Sequence, residues 1–300
     1  MLPADIVCGE YLYGWRSNKL VVPLTASKVL LFGKTNKNKL LFGFSLTYLY
    51  LCNYNNESSM KYAIIAAGEG SRLAAEGIED PKPLVRVGEE RLIDRLIRIF
   101  MDNEAEQIVV ICNDLTSLVA RHLLRIQEDG LNGRSVPLFF LVKSTPSSMH
   151  SFYEISSHLT AGPFVLTTVD TIFKEQEFKD YVKTFRKCVA QDDLDGLMGV
   201  TDYIDDEKPL YVGTDEKMTV TGFFDTNNPP CKYISGGIYG LTPKAVETLN
   251  DCINRGEQRM RNFQRALIRD GLQLKAYPFS KVLDIDHASD ITKAEAFLNT

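Results

Sequence analysis

Residues 61–73 read K-Y-A-I-I-A-A-G-E-G-S-R-L, and after seven further residues comes P-K-P-L at 81–84. The apolar run Tyr62 to Ala67 has the length and continuity of a buried strand, and it stops at Gly68 and Gly70, which let the backbone come close to a ligand. A strand that runs into such a loop presents successive backbone N–H groups to an anion. Ser71 extends the loop, and the cations that follow, Arg72 and Lys82, add the charge an isolated loop lacks against several phosphates. The small Ala66 and Ala67 leave room for a flat ring beside the strand end.

Two common nucleotide motifs do not fit this stretch. A dinucleotide fingerprint needs a third glycine where Leu73 stands and an acid closing the second strand, whereas Glu90 lies beyond Pro83. A P-loop needs G-x-x-x-x-G-K-[ST], and the one similar fragment, Gly33-Lys34-Thr35, has Lys28 in place of the first glycine. The combination A-A-G-x-G-x-R-L with P-K-P-L resembles the opening signature of the nucleotidyltransferase family that makes NDP-sugars and related activated alcohols.

Working outward, the chain has 300 residues, a formal charge of −5 and 44% hydrophobic residues, enough for a large α/β domain. That charge argues against nucleic acid as the main partner, which normally selects a basic excess. Six cysteines, at 8, 52, 112, 188, 231 and 252, show no C-x-x-C pair or metal-ligand spacing, a pattern expected of reduced thiols in a cytoplasmic protein.

Residues 1–59 carry six Lys/Arg against three Asp/Glu, while the remainder holds 28 against 36. They show no sustained helix or strand period, so they read as an atypical N-terminal extension, with a membrane-surface or partner-binding arm as the other reading. The apolar run Leu40 to Cys52 is shorter than the ~20 residues a spanning helix needs, and no signal-peptide pattern precedes it. Because the family signature normally begins close to an N-terminus, Met60 is the expected functional start and 60–300 the expected nucleotidyltransferase domain.

From Lys61 onward, short apolar runs alternate with amphipathic segments, which predicts an α/β fold with short, buried strands. The pattern places a helix from Leu92, a strand over 107–112, a helix over 115–127, a strand over 137–143 and a hairpin over 210–224. A further apolar run, Phe164 to Val169, ends in a single acid, Asp170, where ligands of open α/β sheets bind. Near the C-terminus, Asp284-Ile285-Asp286 sets two acids on one face of an extended strand, and Asp290 reads as the N-cap of the last helix. Arg259, Arg261, Arg265 and Arg269 read as a solvated helix face.

The resemblance implies a Rossmann-like, mixed but mostly parallel sheet with helices on both faces. It implies NMP transfer from an NTP to a phosphorylated small-molecule acceptor, a sugar 1-phosphate or similar, with release of pyrophosphate and with Mg²⁺ as cofactor. Arg72 and Lys82 match the catalytic cations, and Asp170 and Asp286 the metal ligands, with Asp284 as substitute and His287 as an outside candidate. Ser148 and Ser151 match a loop that reaches the base, although N-cap and turn roles account for them equally well. Gly236 and Gly237 match the strand against which the acceptor lies, or else a simple bulge. The family's acceptor-phosphate lysine has no counterpart after Asp225; this departure keeps a non-catalytic sugar-nucleotide-binding regulator open as the alternative.

Overall fold

The computed structural model describes residues 60–191, 194–205 and 207–299 in full, together with the backbone of four strands between residues 6 and 33. The chain divides into two units, Met1–Asn56 and Glu57–Thr300. In the first, β1 (Ile6–Cys8), β2 (Tyr11–Arg16), β3 (Lys19–Leu24) and β4 (Lys28–Gly33) pair in sequence order as an antiparallel meander. These strands went unpredicted because they are short apolar runs broken by Gly and Pro, without the alternation that marks a half-buried strand. The apolar run at 40–52 lies outside the described residues.

The second unit is built on β5 (Met60–Ala66), which sits inside a sheet with nine strands among the described residues. The chain then runs through α1 (Ser71–Ala75), the two-residue strands β6 (Arg86–Val87) and β7 (Glu90–Arg91), and α2 (Leu92–Asp102). Next come β8 (Ala105–Cys112), α3 (Ser117–Asp129), β9 (Leu138–Val142), α4 (Ser148–Ile155) and β10 (Phe164–Thr168). After β11 (Thr171–Ile172) follow α5 (Glu175–Ala190), β12 (Gly196–Thr201), β13 (Tyr211–Thr214), β14 (Val220–Phe224) and β15 (Tyr233–Leu241). The unit closes with α6 (Lys244–Asn254), α7 (Met260–Arg269), β16 (Leu274–Phe279), β17 (Leu283–Asp284) and α8 (Ala288–Leu298).

Strand order is β14-β13-β15-β10-β5-β8-β9, with β12 pairing β15 and β16. Strands β10, β5, β8 and β9 are mutually parallel, while β15 runs antiparallel to β10 and β12. From β5 the chain winds to β8 and β9 on one side, then returns to place β10 on the other. Strand order therefore reverses between β5 and β10, and ligands of open α/β sheets bind in the crevice at such a reversal, outside the strand carboxyl ends.

Both faces of β5 are covered, which is why its sequence is a continuous apolar run. Tyr62, Ile64 and Ala66 pack into a layer with residues of α2, α3 and α5, and Ala63 and Ile65 into the opposite layer with α4, α6 and α7. The predicted helix over 115–127 lies at Ser117–Asp129, because Thr116 stays extended and its hydroxyl accepts from Leu118 N at 3.2 Å, capping the helix. The predicted hairpin is present as β13 and β14. No helix among the described residues is long and apolar enough to cross a membrane.

Phe178 of α5 centres an aromatic cluster, with ring centroids 4.7 Å from Phe173, 5.7 Å from Phe100 and 5.9 Å from Tyr181. It is fully buried. Phe178→Ala is therefore expected to cost about 3–5 kcal/mol in urea unfolding. A loss below about 1 kcal/mol would show that the cluster collapses around the cavity without penalty.

Candidate active site

A cleft of about 520 Å³ opens at the carboxyl ends of β5 and β10. Its floor is the loop that follows β5, with Ala67, Gly68, Gly70 and Ser71 along the wall. Gly70 has φ 65°, and a Cβ there would meet Lys82 Cβ at 3.0 Å, so both the turn and the approach of the two segments require glycine. The side chain of Ala66 points into the core layer instead of lining the cleft.

Lys82 begins a short 3-10 turn between Pro81 and Pro83. Its side chain is 10% exposed, and its Nζ donates to Asp170 Oδ2 and, at 2.7 Å, to Asp286 Oδ1. Burial pulls the Lys82 pKa down, but the charges and hydrogen bonds of Asp170 and then Asp286 outweigh it, and the pKa rises above the ordinary lysine value. Arg72 Nη1 donates to Asp286 Oδ2 at 2.9 Å. The four charged residues singled out in the sequence thus converge, although Lys82 and Asp286 lie 204 positions apart.

Asp170 and Asp286 both bond one ammonium nitrogen, so their bonded oxygens lie within about 6 Å of one another. No group of three or more His, Cys, Asp or Glu among the described residues could hold a metal by itself. Mg²⁺ does not require one, since it is commonly held by one or two carboxylates plus substrate phosphates and water. The hard oxygen pair of Asp170 and Asp286 fits that demand.

The far wall is Thr145 to Ser148 with Ser151. Ser147 is the N-cap of α4, and Ser148 lines the cleft. Ser151 is 2% exposed and shares a 2.6 Å hydrogen bond with Thr145 Oγ1.

A second cleft of about 200 Å³ lies beside the first, and Arg72 and Asp286 line both. Gly236 lines this second cleft, as do Tyr203, Asp284 and Lys293. Gly237 does not: with φ 70° it belongs to a bulge, since β12 pairs Gly199 with Ile238 but Val200 with Ser235, leaving Gly236 and Gly237 unpaired. Thr171 Oγ1 donates to Asp284 Oδ1 at 3.4 Å, and β11 pairs with β17 there. Asp225, where the family's lysine is missing, is gripped by Arg261 at 2.5 Å and Arg265 at 2.7 Å, so part of the predicted solvated arginine face instead ties α7 to the hairpin.

Two readings near the C-terminus change. His287, not Asp290, is the N-cap of α8; Asp290 is the third helical residue, whose carboxylate accepts from His287 N at 2.8 Å and Asp286 N at 3.2 Å in a capping box. The structure adds no support for His287 as a third metal ligand: its Nδ1 lies 2.6 Å from Glu76 Oε1, a hydrogen bond that raises the imidazole pKa and lowers that of Glu76.

Asn113 was missed in the sequence. Its Nδ2 donates to Gly68 O at 3.0 Å and Ala67 O at 3.3 Å, holding the carbonyls of the glycine loop after β5. The signal was present, since Asn113 is the first polar residue after the run that forms β8, which neighbours β5.

The chain matches the family model described as nucleotidyl transferase over residues 61–300. It is 26% identical over 243 residues to UTP–glucose-1-phosphate uridylyltransferase AglF of Haloferax volcanii, covering 79% of this chain and 95% of that protein. Among solved structures it is similar to the inositol-1-phosphate CTP transferase of T. maritima, with a TM-score of 0.65 and 17% identity, over 81% of this chain and 97% of that one. It is also similar to the CTP:phosphocholine cytidylyltransferase LicC of Streptococcus pneumoniae, with a TM-score of 0.62 and 18% identity, over 80% and 99% of the two chains.

Gly70→Ala tests the loop. Holding alanine in the left-handed region costs about 1–2 kcal/mol, and the added Cβ presses on Lys82. The expected outcome is a fall in melting temperature with weaker NTP binding by calorimetry; unchanged NTP affinity would mean that loop and lysine need not approach so closely.

Proposed function

This chain belongs to the nucleotidyl transferase family, and from that premise we propose how its two clefts divide the reaction. It transfers an NMP from an NTP to a phosphorylated acceptor, a sugar 1-phosphate or similar, and releases pyrophosphate. The NTP occupies the larger cleft, its phosphates against Gly68, Gly70, Ser71 and Arg72 and its base toward the wall at Ser148. The acceptor occupies the second cleft, with Gly236 beneath it.

The observation that carries this reading is the shared wall: Arg72 and Asp286 line both clefts. An oxygen of the acceptor phosphate attacks the α-phosphorus there, the bond from the α-phosphorus to the oxygen bridging it to the β-phosphorus breaks, and that oxygen leaves with pyrophosphate. The attacking oxygen already carries negative charge, so the step needs no general base and no covalent enzyme intermediate. What the protein must supply is alignment and positive charge.

Lys82 supplies the charge. Its ammonium lines the larger cleft and is kept protonated by Asp170 and Asp286, so it stabilises negative charge that builds on the α-phosphate oxygens. Asp170 and Asp286 would hold Mg²⁺, which would supply Lewis-acid neutralisation of the phosphates. For the acceptor phosphate, Lys293 takes the place of the missing family lysine: with Arg72, it is one of the two Lys or Arg side chains that line the second cleft among the described residues. It is held by Asp205 at 2.8 Å and Asp290 at 3.2 Å.

Convergence of Arg72, Lys82, Asp170 and Asp286 favours turnover over a regulator that only binds. The negative net charge supports small-molecule partners over nucleic acid, and the free thiols of Cys112, Cys188, Cys231 and Cys252 suit a cytoplasmic location.

Pyrophosphate release over the four NTPs with a panel of phosphorylated acceptors tests the reading, and no release with any pair would refute it. Once an active pair is found, Lys82→Ala should lower kcat by about a hundredfold or more, because it removes charge needed most in the transition state. A raised KM with kcat intact would remove Lys82 from that role. Lys293→Ala should instead raise KM for the acceptor and leave KM for NTP unchanged; the reverse pattern would contradict its assignment.

A further inference from the structure

The geometry points to Glu76 as a positioning residue that clasps together the wall shared by the two clefts. The inference rests on the two-cleft reading, and it concerns a residue that touches neither substrate. Helix α1 carries Arg72 but spans five residues, has Leu73 as its buried residue, and starts at Gly70 without a side-chain cap. So short a helix has little of its own to set the direction in which Arg72 points.

Glu76 closes α1 at its C-terminal end and reaches across to the start of α8. Its Oε2 accepts from Ala288 N at 2.7 Å, and its Oε1 lies 2.6 Å from His287 Nδ1. Arg72 stands four residues earlier, on the same side of the helix, and grips Asp286. Asp290 receives the N–H groups of Asp286 and His287. Residues 286–288 are therefore held by Glu76, Arg72 and Asp290 together.

This bidentate contact is a poor device for overall stability. The side chains of Glu76 and His287 are each 38% exposed, and exposed ion pairs add little to folding free energy. Its consequence is geometric. Without Glu76, the side-chain hydrogen bonds from α1 to residues 286–288 among the described residues reduce to that of Arg72 with Asp286, and the distance between the glycine loop and Asp286 is no longer set from both ends of the helix. Since Arg72 and Asp286 form the wall between nucleotide and acceptor, the clasp governs how the two substrates line up.

The test compares Glu76→Ala, Glu76→Gln, His287→Ala and the double alanine variant. Each is assayed for kcat, for both KM values, for melting temperature and for hydrogen exchange at the Ala288 amide. Glu76→Ala should lower kcat roughly tenfold to a hundredfold, as small misplacements do, with the melting temperature essentially that of the unmodified protein. Glu76→Gln keeps one oxygen to accept from Ala288 N and should recover part of the loss. The double variant should be no worse than Glu76→Ala, since the two residues act as a unit.

Unchanged kcat and KM in Glu76→Ala, or a loss that follows a falling melting temperature, would overturn the clasp. Should the unmodified protein release no pyrophosphate with any substrate pair, the two-cleft reading fails and amide exchange decides the clasp. Faster exchange at Ala288 in Glu76→Ala supports it, and unaltered exchange overturns it.

Discussion

One largely shielded ammonium holds this site together. Lys82 Nζ bonds Asp170 and Asp286, so a loop after β5, a strand end at β10 and the segment before the last helix meet at a single atom. A lysine shielded from water would tend to lose its proton. Asp170 and then Asp286 outweigh that burial and hold Lys82 protonated, so the positive charge a phosphate-transfer site needs is present before substrate arrives.

The fold makes that meeting possible. The four parallel strands put their carboxyl ends on one edge, and the reversal of strand order between β5 and β10 opens a crevice lined by the glycine loop after β5 and by Asp170. The antiparallel strands β12 and β15 then build the neighbouring floor, where Gly236 of the bulge leaves no side chain beneath the second cleft. A Cβ on Gly236 would approach Gly199 O and Val282 at 3.2 Å, so the floor is already at contact distance.

Much of this was legible from local pattern. The strand-loop at 61–73, the acid after the run at 164–169 and the D-I-D motif each announce themselves within a dozen residues, because buried parallel strands are continuous apolar runs that stop at polar residues. What remained hidden depends on tertiary partners. Glu76 reads as an ordinary exposed acid until its partner, 211 positions away, is known. Gly236 and Gly237 are indistinguishable in sequence, yet one lines the cleft and the other turns the bulge. Asp290 read as the N-cap but is the third residue of a capping box, and the N-cap itself is His287, which is not among the residues that favour that position. The lysine absent after Asp225 could be noted, but that Lys293, 68 positions later (293 − 225), lines the second cleft could not, since it joins that cleft only through folding.

The central claim is that nucleotide and acceptor occupy adjoining clefts and react directly across the wall formed by Arg72 and Asp286. The stereochemical course at phosphorus tests it most directly. With an NTP that carries sulfur at one non-bridging position of the α-phosphate, the configuration of the NDP-acceptor product reports the number of displacements. A single in-line attack by the acceptor phosphate gives inversion, which is the result predicted here. Retention would mean that the nucleotidyl group passes through a covalent enzyme intermediate, and would contradict the account.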